Sequence, residues 1–190
     1  NGGGNRLSVE NGGHLTSLET GLGFTADSNG NTASISGAGS AWDTTELFVL
    51  GMSGSENKVN VSDGGSLSSK YLLLGLQVLD AQVPSGNDNR LDISGTGSSV
   101  TSTDVFAVGA ASIGNGVFLT NGATLSTGKA WIGGADKWNA TAPWVNFAEG
   151  KTIPIPAGAV VVKHTYFCGK DCGLTIYINP ADMPAQLTAA

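Results

Sequence analysis

Three acids, Asp80, Asp88 and Asp92, stand close together in the chain, and three tryptophans, Trp131, Trp138 and Trp144, stand close together further on. Clustered carboxylates can hold calcium, which takes oxygen ligands. Exposed aromatic faces can stack on sugar rings and would mark a binding patch. Each cluster also has a plainer reading. The acids read more simply as a polar turn, and the tryptophans as a set that packs on itself to shield one edge of the fold. Asp80, Asp88, Trp131, Trp138 and Trp144 are therefore the candidate binding residues, with carbohydrate or another host-surface component as partner. No cofactor is expected, calcium being the one ion that the acids leave open.

Cys168 and Cys172 flank Gly169, Lys170 and Asp171. A short-loop disulfide is the first reading for an exported protein. Unpaired thiols rank second and a metal site third, because there is no second cysteine pair and only His14 and His164 remain to complete one. Neither histidine has a serine or cysteine partner at a recognisable spacing, so no nucleophile and base triad is assigned, and no catalytic or metal-ligating residue.

The elements that must carry these residues repeat. Asn5, Asn31, Asn57, Asn89 and Asn115 each open a unit, and Gly23, Gly51, Gly75, Gly109 and Gly133 close them, 18, 20, 18, 20 and 18 positions later. Repetition at a few tens of residues implies a stacked, quasi-one-dimensional architecture. Within each unit apolar residues step by two, as in a strand: Leu7 and Val9, Ala33 and Ile35, Val59 and Val61, Leu91 and Ile93, Val117 and Leu119. A glycine-bearing turn follows, then an anchor at Leu15, Trp42, Leu67, Val100 or Leu125. A third apolar pair precedes the closing glycine, as in Phe48 and Leu50 or Phe106 and Val108.

Each unit therefore reads as three short strands, and only stacking can bury its inner face. This is an all-β parallel β-helix. The stacked asparagines form a structural column whose carboxamides cap backbone groups and bond along the stack. Val145, Phe147, Gly150 and Ile153 repeat the same offsets with Pro143 in place of the asparagine, which extends the expectation to about six coils. The coils span residues 1–153, and residues 154–190 read as a capping segment of the same domain, since an open stack end exposes unpaired strand edges. The loops between units hold 7, 5, 13, 5 and 9 residues and leave from one corner, a face that often binds.

Composition narrows the function. Charged residues make up 13 % and the net charge is −6, which argues against nucleic acid and an anionic membrane as partners. No stretch is long and apolar enough for a membrane helix. The chain opens inside a repeat without methionine or leader, as expected of a mature or trimmed piece of a longer exported protein.

Cleavage of a polysaccharide would need carboxylates from adjacent coils to converge. The outward column Ser8, Ser34, Asn60, Asp92, Phe118, Asn146 holds one acid, and so does Glu10, Ser36, Ser62, Ser94, Thr120, Ala148. The column Arg6, Thr32, Lys58, Arg90, Gly116, Trp144 is mildly basic and reads as a solvated face.

The segments NKVNVSDGGSL (57–67) and NRLDISGTGS (89–98), each unit closing on an apolar residue and glycine, resemble bacterial autotransporter-type passenger repeats over residues 5–133. The resemblance implies a right-handed, single-stranded parallel β-helix on the bacterial surface, a stalk or adhesin. The expected function is thus an extracellular, non-catalytic surface module, an adhesin or stalk, with its loop face as the candidate site for a glycan. The alternative is a polysaccharide lyase or glycoside hydrolase of the pectin-lyase-like β-helix type.

Overall fold

The computed structural model describes residues 2–75, 86–109 and 112–132, and four short strands beyond them. Every regular element among the described residues is a strand. Five short strands make one parallel sheet, sheet A: β1 (Arg6–Glu10), β3 (Thr32–Ser36), β5 (Lys58–Ser62), β7 (Arg90–Ser94) and β9 (Gly116–Thr120). Five longer ones make sheet B: β2 (His14–Leu22), β4 (Ala41–Leu50), β6 (Ser66–Leu74), β8 (Ser99–Val108) and β10 (Thr124–Ile132). Within each sheet the order follows the coils, and each strand pairs in parallel with its equivalent above and below. The result is a β-solenoid of about four turns.

The inner faces of the two sheets meet in one continuous core. Sheet A supplies Val9, Ile35, Val61 and Ile93, with Ala33, Val59 and Leu91 beside them. Sheet B supplies Trp42, Leu67 and Val100, then Phe48, Leu72 and Phe106, then Leu50, Leu74 and Val108. The rings of Trp42 and Phe48 pack edge to face with centroids 5.2 Å apart. No single coil could enclose such a column, so burial is a property of the stack.

Each coil contains two strands instead of the expected three. The second and third apolar pairs lie on one strand that bends at a register shift, as between Ser17 and Glu19 or Ser69 and Tyr71. The bend is a β-bulge, which inserts residues into one strand without ending its pairing. The same device explains the alternation of unit length. Between the first two coils the partner offset is 26 at Glu10↔Ser36, 27 at Leu15↔Trp42 and 28 at Leu22↔Leu50. One extra residue of the longer unit sits in the turn, the other in the bulge.

The two turn types are built differently. In the short ones Asn11, Asp63 and Asn121 adopt φ of 55°, 53° and 54° ahead of Gly12, Gly64 and Gly122, also at positive φ, the conformation that favours Asx-Gly in tight turns. In the long ones Ser40 and Ser98 hold the loop. The Ser40 hydroxyl donates to the Ser36 carbonyl at 2.8 Å and accepts the Gly12 amide of the neighbouring coil at 3.1 Å.

A sixth turn was expected to continue on β9 from Val145. Instead Val145–Phe147 forms β11, which pairs antiparallel with β13 (Gly173–Ile178), itself antiparallel to β12 (Val160–Thr165). The physical reason lies in the column described next. Proline at 143 offers neither the carboxamide nor the amide hydrogen that each coil contributes. A final strand, β14 (Gln186–Leu187), pairs antiparallel with β10 at Ala130 and Trp131.

Candidate binding face

Sheet A is held in register by its asparagines. The Asn31 carbonyl oxygen Oδ1 accepts both the backbone amide and the Nδ2 of Asn5, at 3.0 and 2.9 Å. Asn57 does the same for Asn31, Asn89 for Asn57, and Asn115 for Asn89, all within 3.0 Å. From Asn31 onward each Nδ2 also reaches back into its own loop, for example from Asn57 to the Ser55 carbonyl and from Asn89 to the Gly86 carbonyl. The ladder therefore fixes where the next strand starts and which residues it turns outward.

A second polar column went unrecognised in the sequence. Ser17, Thr44, Ser69, Ser102 and Thr127 occupy the bend of sheet B, each two residues after the apolar anchor. Ser102 donates to the carbonyls of Val105 and Lys70, and Thr127 to that of Lys129. Ser17, Thr20 and Thr44 bond among themselves. The bulge frees backbone carbonyls, and a short hydroxyl satisfies them. A hydroxyl residue two places after every anchor was the available signal.

With the register fixed, β5, β7 and β9 present a grid on their outer face. One column is Lys58, Arg90 and Gly116, the next Asn60, Asp92 and Phe118, the third Ser62, Ser94 and Thr120. Asp92 takes Lys58 Nζ at 2.8 Å and Arg90 Nε at 2.7 Å. The Arg90 guanidinium lies over the Phe118 ring, 3.8 Å from its centroid, a cation–π contact. Gly116 makes this possible, because a Cβ there would stand 2.9 Å from the Phe118 ring. Phe118 remains 45 % exposed. Asn60, Arg90, Asp92, Ser94 and Phe118 line a shallow groove of about 460 Å³. Partial burial raises the Asp92 pKa, but the hydrogen bonds and charges of Lys58 and Arg90 together outweigh it and hold the carboxyl below the usual range. The groove thus carries Arg90 and one ionised acid, and Lys58 bonds to that acid from the column beside it.

Of the residues expected to bind, Asp88 is described and does not line this groove. Asp88 is exposed on the loop before Asn89, with φ 54°, its amide bonded to the Ile113 carbonyl at 3.0 Å. Asp92 is engaged by Lys58 and Arg90, and among the described residues no three His, Cys, Asp or Glu side chains gather as metal ligands. Asp80, Trp138, Trp144, Cys168 and Cys172 lie outside the described residues. Trp131 is placed by its backbone in the row of Ala107, Leu73 and Val49, whose side chains are buried. Position on the outer face of that strand is therefore not by itself exposure to solvent.

Compared with protein-family models, curated proteins and solved structures, the chain finds no significant match in any of the three. Its chemistry is carried by the geometry alone. Basic and aromatic residues that sit on neighbouring columns in sequence become one cluster only after the coils are laid over one another.

Proposed function

We propose that this chain is a surface module of an extracellular bacterial β-helix, right-handed and single-stranded, which binds carbohydrate without transforming it. The low content of charge, the repeat and its resemblance to autotransporter-type passengers support an adhesin or stalk. The observation that carries the binding role is the half-exposed ring of Phe118 in the groove, flanked by Arg90, Asp92 and Asn60. A flat apolar ring beside fixed hydrogen-bonding groups suits a sugar, whose ring has an apolar face and a hydroxylated edge.

A lyase or hydrolase would need two acids about 5 to 10 Å apart across the scissile bond. Among the described residues Asp92 is the only acid lining the groove, and two cations hold it ionised. That favours binding over catalysis on this face. The test is a glycan array probed with the wild-type chain and with Phe118→Ala. Retention of a glycan by the first and its loss by the second supports the role. An array left blank by both proteins ends it.

A further inference from the structure

The groove also indicates which sugars it would take, an inference that rests on the carbohydrate-binding reading above. In a chain of net charge −6, Lys58, Arg90 and Asp92 leave one positive charge on this part of sheet A. The acid spends its oxygens on Lys58 Nζ and Arg90 Nε. The outer edge of the guanidinium is not used in those bonds, and a planar guanidinium edge is the geometry that pairs with a carboxylate. Its stacking on Phe118 holds it flat and limits the freedom it would lose on binding.

Two further features fit a sugar rather than a small anion. The Asn60 carboxamide stands in the adjacent position of the outer column with no hydrogen-bond partner among the described residues, available to a hydroxyl. Lys58 and Arg90 are directly paired on neighbouring strands, which lie ~4.8 Å apart in a sheet. That step is close to the advance of one unit along a saccharide chain, so successive acidic units would meet successive cations. We propose that the groove, together with the basic column beside it, binds a run of carboxylated sugars laid across the strands, with Arg90 and Lys58 pairing to the carboxylates and Phe118 stacking on a ring.

The experiment is calorimetric titration of the full chain with an oligosaccharide of glucuronic acid and with its carboxyl-reduced form, in which each carboxylate has become a primary alcohol. The acidic form should bind, more weakly as salt rises, and the reduced form about tenfold less tightly or worse. Arg90→Gln and Lys58→Gln, both at partly exposed positions, should each weaken the acidic ligand about tenfold while circular dichroism stays unchanged. Equal binding of the two forms would overturn the preference for acids and leave carbohydrate binding standing. Acidic binding indifferent to both substitutions would remove it from this groove. If the acidic form does not bind while the glycan array yields a neutral ligand, the preference alone falls; if neither experiment yields a ligand, both readings fall together.

Discussion

The carboxamide of Asn57 ties three coils together. Its Oδ1 accepts two donors from Asn31, and its Nδ2 donates to Asn89 and to the Ser55 carbonyl, all at a fully buried position. The repeat of asparagine and closing glycine has a steric origin here: a Cβ on Gly23 would run into the Asn57 side chain, and one on Gly51 into that of Asn89. Asn57→Ala strands two donors on Asn31, its backbone amide and Nδ2, and takes a donor from Asn89 Oδ1. An unsatisfied buried group costs about 1–3 kcal/mol, so a loss of about 2–4 kcal/mol is expected in urea unfolding. Asn57→Asp should be at least as damaging at neutral pH. The second oxygen cannot donate to Asn89 and adds a buried charge. On the outer face, Asp92 should titrate below the value of about 3.9 for free aspartate. Because its folded pKa is depressed, its contribution to stability is present above the unfolded value and disappears as pH falls through the folded one. Carbon-detected NMR of the carboxyl would follow this, and Lys58→Met should move the midpoint up. A midpoint at or above the free value would contradict the network.

At the scale of elements, apolar spacing was enough to assign the strands and their inward faces, because period two is written into each unit. It was not enough to separate a turn from a bulge. Both interrupt the pattern by a residue, and only the pairing across coils tells that Leu15 and Leu22 belong to one strand. The hydroxyl column marks the difference, and its members are not equivalent. Ser102 bonds two carbonyls, whereas Ser69 Oγ is buried without a partner among the described residues. Ser102→Ala is expected to destabilise by about 1–3 kcal/mol. Ser69→Ala removes a hydroxyl that bonds nothing, and should be neutral or slightly stabilising. Paired thermal melts of the two variants decide the matter. Equal losses would mean that the column acts through packing alone.

For the whole molecule, the stack was legible in the sequence and its ends were not. The interior coils repeat, so each one states the same pattern again, but an end is made once. Leu7 is 39 % exposed on β1 and Leu119 48 % on β9, although Val9, Ile35, Val61 and Ile93 on the same inner face are buried. The candidate groove was hidden for a related reason: Lys58, Arg90 and Phe118 are far apart in sequence and meet only through the register of three coils. Sheet B ends differently from sheet A. There β14 lies antiparallel on β10 through Ala130 and Trp131, across an edge that would otherwise offer unpaired amides and carbonyls. Exposed parallel edges recruit other strands, so a short strand laid across one blunts it. Leu187→Pro removes a backbone amide from a paired residue and fixes its φ at about −65°, away from the value of an antiparallel strand. The variant should keep the β signal of the coils in circular dichroism yet associate more strongly than the parent as concentration rises in sedimentation velocity. A variant that associates no more than its parent would show that β14 does not guard the edge.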